Sequence, residues 1–221
     1  MFDPHCQADR WSRLTAGIEV VAATATVVLD LWLPTLVLLA MAALSLLMRR
    51  TGVGSLGLRR AGGTALVGKM LLFAGFWSVF QLSVTLPVAH HVSGARQDLS
   101  AFDDLEGNAG LLVVLLLLSW TLAAFGEELA YRGYVLTRCS QAVGGGGAGL
   151  FVAVIASSVL FGLGHTEQGV IGVLVVSVDA VAWSLLRLHY RTLWASIHAH
   201  GFNNTLGFVT FFFVGPVHGF W

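Results

Sequence analysis

The chain has 221 residues, of which 56% are hydrophobic and 11% charged. A soluble globular domain carries about 25% charged residues, so this composition excludes an ordinary water-soluble fold and leaves room for one integral membrane domain. Twelve basic and twelve acidic side chains cancel, which removes the electrostatic argument for a nucleic-acid partner. The two cysteines, Cys6 and Cys139, are far apart and match no metal or redox spacing.

A spanning helix needs about 20 apolar residues. The first apolar run, 16–48, exceeds both one span and the apolar core of a signal peptide, and Asp30 and Pro34 interrupt it. It reads as two short helices with a tight turn near Pro34. The basic, glycine-rich stretch Arg49–Lys69 reads as a linker, and a third helix runs from about Ala65 to Val88. Residues 93–108 carry Asp98, Asp103, Asp104 and Glu106 and form the longest polar loop. A fourth helix follows over about Gly110–Gln141 and is broken by Gly144–Gly147. A fifth covers about Leu150–His165, a sixth Gly169–His189 and a seventh Leu193–Val214. The fold expected is all-α: a polytopic membrane protein of about seven transmembrane helices. In this layout residues 10, 13, 49, 50, 59, 60, 69, 138, 187 and 191 share one side, ten of the twelve basic residues. The positive-inside rule makes that side cytoplasmic, with the N-terminus inside and the C-terminus outside.

Ionisable residues within spans are costly and concentrate at functional sites. Helix four carries Glu127, Glu128 and Arg132; helix five ends Phe161-Gly-Leu-Gly-His165; helix seven carries His198, His200, Asn203 and Asn204. Glu128 and Arg132, and likewise His200 and Asn204, are four apart and share a helical face. On α-helical pitch Glu127 points about 100° away from Glu128. Glu127 and His165 are each nineteen residues from Gly146, which puts them at one level of an antiparallel hairpin. Bland readings stand beside these. Glu128 with Arg132 reads as a structural ion pair, and a single intramembrane His or Asn reads as interhelical hydrogen bonding. Asp30 and Asp179 read as packing or helix-end acids, Glu19 as solvated, and Glu167 as exposed. His90, His91, His189, His198 and His218 read as interfacial.

Taken together and in order, Glu127-Glu128-x-x-x-Arg132, Phe161-x-x-x-His165 and His200-x-x-x-Asn204 resemble the CPBP family. This family, also called Abi, includes CAAX prenyl endopeptidases of the Ras-converting type. The resemblance covers about residues 105–215, including the Tyr190-Arg191-Thr192-Leu193-Trp194 turn, and Gly57-Leu58-Arg59 is similar to the family's linker motif. The domain reading is therefore N-terminal membrane helices and linkers over 1–104 and a catalytic helical core over 105–215, within a single integral domain. The resemblance implies an intramembrane endopeptidase with its motifs on helices 4, 5 and 7. Glu127 would be the general base, assisted by His165. His200 and Asn204 would stabilise the oxyanion, with Glu128 and Arg132 in support.

No cofactor is favoured, although zinc held by Glu127, His165 and His200 stays open; the His-Glu-x-x-His pattern of zincins is absent. The partners implied are membrane lipid and a peptide or lipid-modified protein substrate. Two rivals remain: a non-catalytic scaffold or bacteriocin-immunity-like membrane protein of the same fold, and a small transporter relaying protons through Asp30 or Asp179.

Overall fold

The computed structural model describes residues 4–59 and 63–220, the side chains of residues 4–9 excepted. Arg60 of the basic linker and the side chain of Cys6 lie outside the described residues.

Helix α1 spans Pro4–Val28 and α2 spans Pro34–Arg49. The turn between them places Asp30 and Trp32 in the left-handed region, with φ of 47° and 61°. Pro34 starts α2 as expected of a residue with fixed φ and no amide proton to lose. Asp30 is an exposed turn residue, so it needs no intramembrane partner. A 3-10 turn over Val53–Leu56 leads to α3, Gly63–Ser93. Helix α4 covers Ala109–Ala142, α5 covers Gly146–Leu163, α6 covers Gly169–Tyr190 and α7 covers Leu193–Val214. No strand occurs among the described residues. Among the described residues, four helical runs are long and apolar enough to cross a membrane: α3, α4, α5 and α6 with its preceding 3-10 turn, Thr166–Gln168.

The apolar side chains face outward as well as inward. Leu72 of α3 is 77% exposed, Leu117 of α4 63%, Phe151 of α5 68% and Val170 of α6 77%. Apolar rims of this extent are unstable in water and are satisfied by lipid. The interior is apolar for the most part but also holds charged and polar groups, with Glu128, Arg132, Arg138 and His200 all buried.

Two helices depart from α geometry. Helix α3 is π-helical over Gln81–Thr85, just before Pro87. Proline in a regular helix removes a hydrogen bond and crowds the preceding turn, and the wider segment absorbs it. The amide of Leu86 bonds the carbonyl of Gln81, five residues back. The next bond in that ladder would run from residue 87, which has no amide proton, to the carbonyl of Leu82. The amide of Phe220 makes it instead, at 2.9 Å. The C-terminal tail is thereby seated on the proline kink, and α3 continues past its expected end at Val88. Helix α4 is π-helical over Ser119–Val135, the stretch that carries Glu127, Glu128 and Arg132. Each residue of a π-helix turns through a smaller angle than in an α-helix, so Glu127 and Glu128 point closer together than the 100° expected. Such segments occur mostly at functional sites.

Packing brings the two halves of the chain into one body: α2 lies along the π-helical part of α4, α1 against the end of α4, and α3 along α7. Two close approaches set the geometry. At Gly201 of α7 a β-carbon would stand 2.6 Å from the Trp120 ring, so only glycine lets α4 come this near. At Gly162 of α5 a β-carbon would run into Ser177 and the carbonyl of Val173 on α6.

Glu19 corrects an expectation. It is not a solvated helix-end acid but the centre of a polar cluster joining three helices. Its carboxylate takes hydrogen bonds from Ser45 at 2.6 Å, Arg49 at 2.6 Å and Arg138 at 2.9 Å. Burial makes the pairing necessary, since an unpaired cation such as Arg138 at 3% exposure would be costly.

Candidate active site

A cavity of about 340 Å³ opens between α3, α4, α5, α6 and α7. Glu127, His165, His200 and Asn204 all line it. They come from three helices, and local structure explains each position.

Glu127 and Glu128 are neighbours with opposite surroundings. Glu128 is 0% exposed. Its Oε1 lies 3.2 Å from Nη1 of Arg132 and 3.0 Å from Nδ1 of His200. An ionised carboxylate only accepts, so His200 donates its Nδ1–H. Arg132 is pinned further by its guanidinium lying 4.1 Å over the Phe161 ring. Glu127 is half-buried, faces the cavity and makes no hydrogen bond or ion pair among the described residues.

His165 follows the last turn of α5. Its Nδ1 is 2.9 Å from the carbonyl of Phe161. A carbonyl has no proton to give, so Nδ1 carries the hydrogen and, in the neutral ring, Nε2 keeps its lone pair. The Phe161 and His165 rings are 4.7 Å apart, as their spacing of four implies. His200 lies parallel to Trp183 at 6.1 Å and edge-on to Phe161 at 6.2 Å, a cage that holds the imidazole. Asn204 stands one turn beyond His200, half-buried, with no hydrogen bond of its own among the described residues.

The other histidines are elsewhere. His198 bonds the carbonyl of Trp194 at 2.6 Å and faces Trp120, Trp194 and Phe202. His90 bonds the carbonyl of Ala95 at the end of α3, and His189 lies edge-on to Tyr190. Glu167 is exposed. Among the described residues, no three His, Cys, Asp or Glu side chains are grouped as metal ligands, Glu127, His165 and His200 included.

Several cavity residues escaped the sequence reading. Asp179 lines the cavity, half-buried and in mid-helix, so of its two readings the packing acid stands and the helix-end acid does not. The indole of Trp77 donates to it at 2.8 Å and the amide of Gln81 at 2.8 and 2.9 Å. Asn203 accepts from Ser78 at 2.9 Å. The polar 93–108 loop forms a roof rather than hanging in solvent. Leu99 and Phe102 line the cavity, and Phe102 packs on Phe208 and Phe211 of α7. The side chain of Gln97 donates to Gln168 at 2.7 Å, and the backbone amide of Asp98 donates to its carbonyl at 3.0 Å. The intramembrane position of Asp179 was the available signal for it; its donors on α3 lie about a hundred residues away and left no local trace.

Residues 109–206, which carry every one of these motif positions, match the family model of Rce1-like proteins, described as type II CAAX prenyl endopeptidase Rce1-like. No curated protein and no solved structure matches the chain.

Proposed function

We propose that this protein is an intramembrane endopeptidase using a glutamate-activated water, a reading supported by the match of residues 109–206 to the model of Rce1-like type II CAAX prenyl endopeptidases. The observation that carries the proposal is the division of labour between adjacent carboxylates. Glu128 is buried and occupied by Arg132 and His200, whereas Glu127 faces the cavity with its oxygens unclaimed.

In the mechanism, water sits between the Glu127 carboxylate and Nε2 of His165, both of which accept hydrogen bonds. Glu127 takes a proton as the water oxygen attacks the scissile carbonyl carbon. The carbonyl oxygen becomes an oxyanion and takes hydrogen bonds from Nε2–H of protonated His200 and from the Asn204 amide. The Glu128 carboxylate on Nδ1 supports the charge of that imidazolium, and Arg132 keeps Glu128 ionised. Glu127 then returns its proton to the departing nitrogen as the C–N bond breaks, leaving a carboxylic acid, which still holds the second proton of the water, and an amine; transfer of that proton gives the carboxylate and the ammonium. Such preorganised donors contribute most where water is excluded, and one of them is typically worth about 2.7–4 kcal/mol in the transition state. The reading includes seven spanning helices, with the motifs on α4, α5 and α7. It places the chain in the cell membrane with a cytoplasmic N-terminus and an external C-terminus. The substrate is a peptide or lipid-modified protein with its scissile bond near the membrane surface.

The test is cleavage of a quenched peptide library by protein reconstituted in membranes, comparing wild type, Glu127→Ala and His200→Ala with and without chelator. Cleavage by wild type alone, persisting in chelator, is expected. Cleavage surviving in Glu127→Ala would remove the glutamate from the mechanism. Loss in chelator would replace the metal-free mechanism with a metal-dependent one. A folded wild type that cuts nothing would leave a membrane scaffold as the better reading.

A further inference from the structure

Asp179 is the second carboxylate of the cavity, and its setting differs from those of Glu128 and Glu19. Glu128 is paired with Arg132, and Glu19 with Arg49 and Arg138. Asp179 has no cation within ion-pair distance among the described residues, and Arg132 and His200 act on it only from across the cavity. All its donors are neutral: the Trp77 indole on Oδ1 and the Gln81 amide on both oxygens. Those three bonds aim the carboxylate from α6 toward α3 and leave acceptor capacity on Oδ2. An interhelical link between α3 and α6 needs only an acceptor, which a side-chain amide supplies without charge. A carboxylate in a low-dielectric cavity gains most when an opposite charge can come into contact with it.

The surroundings suit a cation. Trp77 and Trp183, their rings 6.2 Å apart, back the carboxylate and shield it from water, which strengthens its attraction for a charge brought into the cavity. The same cavity holds Glu127 and His165, so a group bound at Asp179 belongs to a molecule that also reaches the hydrolytic residues. The volume of about 340 Å³ falls within the range of small-ligand pockets. We infer that Asp179, held by Trp77 and Gln81, is a specificity subsite that takes a cationic group of the substrate, a lysine-like side chain or a free amine flanking the scissile bond. The inference rests on the endopeptidase reading for its role in substrate choice, but not for the binding of the cation.

Two measurements test it. In the first, quenched peptides are scanned with lysine, norleucine or glutamate at each position around the cleaved bond. Wild type is expected to favour lysine over norleucine by about tenfold or more in kcat/KM at one position, with the preference falling to about twofold or less in Asp179→Asn and persisting in Asp179→Glu. In the second, Glu127→Gln protein carrying 5-fluorotryptophan is titrated with n-pentylammonium or its neutral isostere n-pentanol. The fluorine resonance of Trp77 is expected to shift saturably with the amine and not with the alcohol, and to lose that response in Asp179→Asn. The comparison of amine with alcohol stands even if the Asn variant fails to fold. Peptides cut without a lysine preference, a preference retained in Asp179→Asn, or a Trp77 signal indifferent to the amine would each overturn the subsite. A saturable amine response in a protein that cuts no peptide would keep the subsite and remove the protease.

Discussion

Nδ1 of His200 lies 3.0 Å from Oε1 of Glu128, joining α7 to α4 between residues seventy-two apart in the chain. That contact ties two motif-bearing helices beside the cavity and leaves Nε2 as the imidazole nitrogen without a protein partner among the described residues. It also divides the Glu-Glu pair, since Glu128 is committed to Arg132 and His200 while Glu127 stays available.

The division predicts opposite outcomes for two matched substitutions. Glu128→Gln leaves Arg132 buried beside a neutral partner and should lower unfolding stability by roughly 3–5 kcal/mol. Glu127→Gln removes no hydrogen bond or ion pair of the described residues, so stability should stay within about 0.5 kcal/mol while cleavage is lost. Thermal unfolding in detergent, run beside a peptide-cleavage assay, separates them. Equal loss of stability in both variants would contradict the assignment of Glu128 as the structural member.

Arg132 should tolerate replacement poorly even by lysine. Its guanidinium spans Glu128 on one side and the Phe161 ring on the other, and a lysine ammonium reproduces only the point charge. Arg132→Met paired with Glu128→Gln should cost less than the two single changes added together, because the double variant leaves no lone buried charge. A double-mutant cycle on midpoint temperatures measures this coupling.

Helix approach at Gly201 can be tested through its neighbour. Gly201→Ala forces a methyl group against Trp120 and should destabilise by about 1–3 kcal/mol as overpacking does. Adding Trp120→Leu should recover part of that loss, at the expense of the indole bond to Thr205 at 3.1 Å. An unchanged melting temperature in Gly201→Ala would mean that α4 and α7 are not held this closely.

The proline kink of α3 carries its own prediction. Pro87→Ala supplies the amide proton that the Leu82 carbonyl lacks, so the helix can complete its own ladder and release the tail. Hydrogen exchange at the Phe220 amide should then accelerate, while exchange in α5 stays unchanged.

Topology is open to labelling. With native cysteines replaced, single cysteines at Ser100 and Gly145 should react with an impermeant maleimide from opposite faces of the membrane. Reaction of both from one face would reverse the assignment of the loops.

Much of the architecture was readable along the chain because membrane helices announce themselves locally. Apolar runs of span length, Pro34 and the glycines at 144–147 mark helices and breaks without reference to distant residues. The motif positions were readable for the same reason, since a charge in an apolar run is conspicuous by its cost. Three features were not. The π-helical stretch of α4 has no signature in hydropathy, the commitment of Glu19 to Arg49 and Arg138 depends on three helices meeting, and the place of Asp179 depends on donors from α3.

Composition and spacing by themselves determined an all-helical membrane protein with Glu, His and Asn residues set at helical intervals. The tertiary structure decided which carboxylate is free and which is paired, that Asp179 shares the cavity with Glu127, and that the 93–108 loop covers it. The physical reason is the range of the forces involved. Hydrophobic periodicity is written within one helix, whereas the role of a buried polar group is set by the partners that other helices bring within about 3 Å of it.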